Sequence, residues 1–236
     1  MDIKDSVIIV TGASERIGLA TVKLLDELGS KVVLAARSAE KLKEVANKLT
    51  DALAVPTDMR NPEAIQNLVD AATAKYSRID ALVNNAGKGM AGPVESIDIA
   101  KYQQVIELNV YGTLRAMQAV IPVMRKQGSG TILNISSNVS KNLFPNLSSY
   151  ASTKYALNCL SLTARSELEK DGIIVGVMHP GLTATNFGVN DLRNEDTPKF
   201  DMSGRQADTT KEVAEKIIKA LQTGAAETAM RQLLPE

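Results

Sequence analysis

Val7-Ile8-Ile9-Val10-Thr11-Gly12-Ala13-Ser14-Glu15-Arg16-Ile17-Gly18 opens the chain with a β-branched run, a turn holding two glycines and the start of an apolar-periodic segment. A strand that turns through glycine into a helix leaves backbone N–H groups free at the positive end of the helix macrodipole, a cradle suited to a pyrophosphate. As an isolated motif this is equally a plain strand-to-helix turn; its position at the first crossover gives it weight. The pattern then repeats. Apolar, β-branched runs at 31–35, 52–55, 79–83, 131–135 and 173–177 alternate with segments of helical period such as 17–28, with Leu24, Leu25 and Leu28, and 64–76, with Ile65, Leu68 and Val69. Near-continuous hydrophobicity suits strands covered on both faces, and strand, helix, strand repeated predicts an α/β chain with a parallel sheet. Asn61 before Pro62 reads as a helix N-cap, and Leu28-Gly29 as a helix stop.

The chain has 236 residues, and at about 150 residues per domain that means one large domain or two small ones. No linker or repeat divides it, so residues 1–236 are read as one domain. Lys plus Arg (27) balance Asp plus Glu (27), so no global field draws the protein to nucleic acid or an anionic membrane. No apolar run approaches the ~18 residues of a membrane span, and Met1-Asp2-Ile3-Lys4-Asp5 lacks a signal peptide's apolar stretch. The expected location is the cytoplasm. One cysteine rules out an intramolecular disulfide, and Cys159, inside Ala156-Leu157-Asn158-Cys159-Leu160, is expected to be a buried core thiol. With one histidine, His179, no Cys/His metal site assembles and no metal is expected, although an all-carboxylate site stays open. From about Thr185 to Ala207 periodicity gives way to Asn, Asp, Gly and Pro: a functional loop or a disordered surface excursion.

The second run ends in Arg37-Ser38, roughly 20 residues past the glycine turn, where an acidic residue would hold the ribose hydroxyls of NAD. A guanidinium there grips a 2′-phosphate instead, with Ser38 adding a hydroxyl, which favours NADP(H); the plainer reading is a solvated arginine opening the next helix. Asp58 either accepts from an adenine amino group or turns the chain toward Asn61. Tyr150 and Lys154 stand four residues apart, on one face of a helix, where the ammonium stabilises the phenolate and makes Tyr150 a usable acid/base. Ser136-Ser137 follow a strand, where open parallel sheets place ligands, or simply form a turn.

Together these residues resemble the short-chain dehydrogenase/reductase family along nearly the whole chain. Thr11 to Gly18 is similar to its TGxxxGxG turn, and Asn84-Asn85-Ala86-Gly87 to its NNAG. Asn109 matches its helix asparagine, and Ser137, thirteen residues before Tyr150, its serine. Tyr150 and Lys154 form YxxxK, and Pro180-Gly181 with Thr183 and Thr185 resembles its PG motif. The resemblance implies a Rossmann-like, doubly wound sheet of about seven strands and hydride transfer between NADP(H) and a carbonyl or alcohol carbon. It implies Tyr150 as proton donor and Lys154 as holder of the nicotinamide ribose. Ser137 would fix the substrate oxygen, and Asn109 would hold a water linking Lys154 to solvent. In the same reading Gly12, Ser14, Arg16, Ile17 and Gly18 surround the phosphates, Arg37 and Ser38 take the 2′-phosphate, and Asp58 and Met59 meet the adenine. Asn85, Ala86 and Gly87 line the cleft, and Pro180, Gly181, Thr183 and Thr185 meet the carboxamide or phosphates. The stretch from Thr185, with Phe187 and Met202, would be a substrate lid.

One residue departs from the pattern: Arg16 stands where the family has its middle glycine. It either adds a second cation beside Arg37, as in pteridine-reductase-like members, or weakens cofactor binding. Pteridines are disfavoured as substrate because those relatives tend to carry aspartate at the position of Ser137. Lys88-Gly89-Met90-Ala91-Gly92-Pro93 differs from the usual 3-oxoacyl reductase segment, so a small ketone or aldehyde fits best. The rival from another class is a catalytically silent NADP(H)-binding sensor or scaffold. His179 is read as structural, and no hydrolase elbow or P-loop is present. The resemblance also implies a homodimer or homotetramer formed through two long helices, here at roughly 99–125 and 149–169.

Overall fold

The opening β-branched run becomes the central strand, β1 (Val7–Thr11), buried along its whole length. The structure, a computed structural model, describes residues 1–183, 192–193 and 207–230. β1 pairs in parallel with β2 (Lys31–Ala36) on one side and β4 (Ala81–Asn84) on the other. Beyond β2 lies β3 (Ala52–Pro56), and beyond β4 lie β6 (Gly130–Ile135), β7 (Ile173–His179) and β9 (Glu227–Ala229), all parallel. The order β3-β2-β1-β4-β6-β7-β9 reverses at β1, so the carboxyl ends of β1 and β4 frame the crevice where such sheets bind ligands. A separate pair joins β5 (Met90–Ala91) to β8 (Leu192–Arg193).

Alternation along β1 decides which helices cover which face. Ile8 and Val10 pack with Val22 and Leu25 of α1 (Arg16–Glu27) and with Val213, Ile217 and Leu221 of α7 (Thr210–Thr223). Val7 and Ile9 pack with Ile65 and Leu68 of α3 (Pro62–Tyr76) and with Met117, Val120 and Met124 of α5 (Thr113–Gln127). The sheet is therefore doubly wound. Asn61 caps α3, its Oδ1 accepting from Glu63 and Ala64 N–H at 2.8 and 3.1 Å. Leu28, expected on the apolar stripe of α1, instead follows its last turn and is 41% exposed.

The long helix expected from about 99 to 125 is interrupted. α4 (Ile99–Ile106) passes through a π-helical stretch at Glu107–Gly112 before α5 begins. Gly112 allows the approach: a Cβ there would lie 2.5 Å from the Met59 carbonyl oxygen. The other long helix, α6 (Ser148–Leu168), buries Leu157, Asn158 and Ser161. Two residues past Leu157 is about 200° around a helix, so Cys159 faces outward with Ser152 and Tyr155 and is exposed, not the buried thiol expected from its apolar neighbours. Among the described residues no helix is long and apolar enough to cross a membrane, and no group of three or more His, Cys, Asp or Glu could hold a metal.

Candidate active site

β1 and β4 are stitched together where they end. Thr11 Oγ1 accepts from the N–H groups of Asn85 and Ala86, both at 3.0 Å, and Asn85 Nδ2 donates to the Thr11 carbonyl at 2.9 Å. The turn beyond is tight: Gly12 has φ +66, and a Cβ on Gly18 would fall 2.1 Å from the Gly12 carbonyl oxygen. Thr11 was visible in the sequence as part of the glycine motif, but its use as the clasp between two strands was not. Arg16 also adopts the left-handed region, at φ +56, where an L side chain costs roughly 1–2 kcal/mol and glycine little. A glycine at this position would meet that backbone demand without the strain. The Arg16 guanidinium lies 3.7 Å from the Glu15 carboxylate.

Arg37 is exposed just beyond β2. Ser38 caps α2 (Ala39–Ala46), accepting from Lys41 N–H and donating to Glu40 Oε2, each at 3.4 Å. Asp58 turns the chain, its carbonyl accepting from Asn61 N–H at 2.9 Å. Its carboxylate takes a bidentate grip from Arg60, which, with Arg37 further off, holds it below the ordinary carboxylate range despite partial burial. Met59 beside it is buried.

The second half gathers around α6. Lys154 is buried, and its Nζ donates to the Ile135 carbonyl at 2.9 Å and lies 5.8 Å from the centroid of the Tyr150 ring. Burial pushes the ammonium down from 10.5 to about 8. Gly87 abuts this group: a Cβ there would be 3.7 Å from Lys154 Nζ and 3.3 Å from Asn109 Oδ1. The Asn109 amide is fully engaged, accepting from Lys88 N–H and donating to the Lys88 carbonyl, both at 2.9 Å, and to Thr153 Oγ1 at 3.1 Å. Its carbonyl, inside the π-helical stretch, accepts from Thr113 Oγ1 at 3.0 Å.

Ser137 follows β6 in extended conformation and caps the short turn Asn138–Ser140. Its Oγ accepts from Val139 N–H and donates to Asn138 Oδ1, each at 3.4 Å, long bonds that a better partner displaces. Pro180 accepts from Asn138 N–H at 2.9 Å, and a Cβ on Gly181 would lie 2.7 Å from Asp208 Oδ2. Thr183 forms a parallel bridge with Asp208, pairing the two flanks of the loop read from the sequence. Thr185, Phe187 and Met202 lie outside the described residues. His179 is buried with both ring nitrogens engaged: Nε2 is 3.0 Å from Glu227 Oε1, and Nδ1 is 3.3 Å from Ser140 Oγ. These partners, with Lys141 and Asn158, carry no signature in the sequence.

The donor set fits a nicotinamide dinucleotide. Lys154 has three N–H groups, one of them on Ile135; the others have no acceptor among the described residues and suit a ribose diol. The glycine turn and the start of α1 suit a pyrophosphate.

A family model described as short chain dehydrogenase matches residues 6–196. An uncharacterized oxidoreductase of Staphylococcus aureus strain MW2 is 32% identical over 219 residues, covering 92% of this chain and 91% of the relative. A short-chain dehydrogenase from Streptomyces avermitilis superposes with a TM-score of 0.89 at 31% identity, over 98% of this chain and 90% of that one. A Brucella melitensis 3-ketoacyl-(acyl-carrier-protein) reductase complexed with NADH shares the fold, with a TM-score of 0.88, 24% identity and coverage of 96% and 97%. An alcohol dehydrogenase from the archaeon Thermococcus sibiricus, complexed with 5-hydroxy-NADP, gives a TM-score of 0.84 at 26% identity, covering 98% and 99%. The chain belongs to the short-chain dehydrogenase/reductase family. It is an oxidoreductase of the class that uses nicotinamide cofactors.

The backbone at position 16 yields a first prediction. Arg16→Gly relieves the left-handed strain and raises stability by about 1 kcal/mol, read as a higher denaturant midpoint with unchanged slope; a lower midpoint contradicts the strained backbone.

Proposed function

We propose that the protein is an NADP(H)-dependent reductase acting on the carbonyl group of a small ketone or aldehyde, the reverse oxidation using the same residues. The observation that carries this reading is the buried Lys154 ammonium beside the Tyr150 ring, bonded to a carbonyl two residues before Ser137. The nicotinamide supplies the hydride when bound. Ser137 Oγ donates to the substrate oxygen in place of its long bonds within the turn, and so orients the carbonyl. Tyr150 gives its phenolic proton to that oxygen as negative charge develops on it. The Lys154 cation favours the phenolate left behind and holds the ribose hydroxyls. A water on the Asn109 carbonyl returns the proton through Lys154.

Arg37, Ser38 and Arg16 support the choice of NADP(H), since a 2′-phosphate takes charge-assisted hydrogen bonds from guanidinium groups. In this reading Gly12, Ser14, Ile17 and Gly18 take the pyrophosphate, and Asp58 and Met59 the adenine. Asn85, Ala86 and Gly87 line the cleft, and Pro180, Gly181, Thr183 and Thr185 take the carboxamide end. The outward faces of α4, the π-helical stretch and α6, which expose Ile99, Tyr111 and Tyr155, support assembly as a homodimer or homotetramer.

Fluorescence titration with NADPH and NADH tests the cofactor. NADPH binds tighter by about 10- to 100-fold, the worth of one charge-assisted pair, and Arg37→Ala removes most of the difference; preferential NADH binding overturns the assignment.

Tyr150→Phe lowers kcat on a panel of ketones, aldehydes and diketones by about 100-fold or more while leaving the NADPH dissociation constant unchanged. Intact reduction by Tyr150→Phe refutes the proton donor. Tight NADPH binding by the wild type without turnover on the whole panel establishes the sensor instead.

Lys154 gives opposite pH trends for activity and stability. Its folded value, about 8, lies below its ordinary 10.5, so the native state binds fewer protons than the unfolded chain between those values, and stability rises with pH across that interval. The kcat/KM for reduction falls over the same interval as the cation is lost. Denaturant midpoints and rate profiles from pH 7 to 10 that move together contradict this.

A further inference from the structure

We propose that His179, Glu227 and Lys141 form a positioning unit that sets the conformation of the Ser137 turn, with His179 acting on the reaction through Ser137. The inference rests on the reductase reading above. The Ser137 side chain does not lock its own position, because both of its bonds are 3.4 Å long. The turn is held through its backbone instead. The Ser137 carbonyl accepts from Ser140 Oγ at 2.6 Å and from Ser140 N–H at 3.1 Å. Ser140 Oγ in turn accepts from Asn158 Nδ2 at 2.9 Å and sits 3.3 Å from His179 Nδ1, which is 3.4 Å from the Ser137 carbonyl.

The far side of the imidazole closes a ring. His179 Nε2 faces Glu227 on β9 at 3.0 Å, and the same Oε1 is 2.6 Å from Lys141 Nζ, one residue past the turn. The Ser137 turn, which follows β6, is thus tied to β9 through Lys141 and through His179 at the end of β7, and Asn158 ties it to α6 four residues beyond Lys154. A carboxylate only accepts hydrogen bonds, so the single proton of a neutral imidazole sits on Nε2 and leaves Nδ1 a lone pair. The Ser140 hydroxyl then has two acceptors within reach, the Ser137 carbonyl at 2.6 Å and Nδ1 at 3.3 Å, and its proton favours the shorter bond. A protonated ring brings a competing donor to the Ser137 carbonyl.

Among the described residues the charged groups acting on the ring are Glu227 from β9 and Lys141 from the segment after β6; α6 contributes the uncharged Asn158, bonded to Ser140. Burial, with the Lys141 charge, pushes His179 below its ordinary value against the opposing pull of Glu227 and the Ser137 carbonyl. Its folded value is depressed, so the native state loses stability as pH falls below about 6.5, where the unfolded ring takes up its proton.

A double-mutant cycle separates positioning from general packing. In wild type, His179→Asn lowers kcat by about 10- to 100-fold, the scale of a misplaced reacting group, with the NADPH dissociation constant unchanged. In a Ser137→Ala background the same substitution changes kcat by less than about twofold. Glu227→Leu repeats this pattern, and Glu227→Gln, which keeps an acceptor oxygen, recovers most of the rate; Glu227 is partly exposed, so this pair carries the test if His179→Asn does not fold. Because the chain has one histidine, nitrogen-15 NMR of the protein without ligand reads its tautomer and titration directly. An Nε2–H tautomer titrating below 6.5 is expected. Equal kcat losses in both backgrounds, full kcat in His179→Asn, or an Nδ1–H tautomer overturns the proposal. Full turnover by Ser137→Ala alone instead overturns the reductase chemistry on which it rests.

Discussion

The ammonium of Lys154 is taken out of water, and much of the surrounding architecture is what makes that tolerable. Lowering an ammonium from 10.5 to about 8 corresponds to roughly 3 kcal/mol against the charged form at neutral pH. The Ile135 carbonyl offsets part of this, and that bond fixes the register of α6 against the end of β6. A Cβ at position 87 would crowd Asn109 Oδ1 at 3.3 Å and come into van der Waals contact with Lys154 Nζ at 3.7 Å. Asn109 is held by the loop it faces, through Lys88, and by α6, through Thr153, so the π-helical stretch that carries it is anchored from two sides. A π-helical stretch inside a long helix is rare and tends to mark function. Here it delivers an asparagine to the wall of a cation's pocket.

At the other end of the crevice the constraint is steric. Gly18 must let α1 close on the Gly12 carbonyl, and Thr11 and Asn85 fix the spacing of β1 and β4. Arg16 sits in this packed turn with a left-handed backbone that its side chain opposes. Strain of this kind persists only where the surroundings over-determine it, and the Gly18 contact and the Thr11 clasp do so. Backbone strain of this kind clusters at ligand-binding turns, and here it falls beside a phosphate-type cradle.

Much of the fold was legible because parallel strands buried on both faces need continuous apolar runs, and six of the seven sheet strands have one. The seventh, Glu227-Thr228-Ala229, does not: as an edge strand of three residues it needs little hydrophobicity, and β5 and β8, at two residues each, are shorter still. Helical period could not reveal the π-helical stretch, since one widened turn barely shifts the apolar stripe. It also misplaced Cys159, whose apolar neighbours flank it in sequence but lie on other sides of α6. Tyr150 and Lys154 could be paired because four residues is one turn. The ring around His179 could not be read, because its members come from residues 137–141, 158, 179 and 227, brought together only by β7 lying between β6 and β9.

Burial moves Lys154 and His179 in the same direction, and the consequences are opposite. Lys154 starts so high that at about 8 it still carries its charge at neutral pH. His179 starts near neutrality, so the same cause leaves it uncharged there. Protonating it would place a second cation beside Lys141 and draw on Glu227, the one carboxylate both share. Under the proposed chemistry the working state has Lys154 charged and His179 neutral. That state exists only between the depressed value of His179 on the acid side and about 8 on the alkaline side. A site built from one buried ammonium and one buried imidazole thus confines its chemistry to near-neutral pH by desolvation, without requiring the substrate itself to titrate.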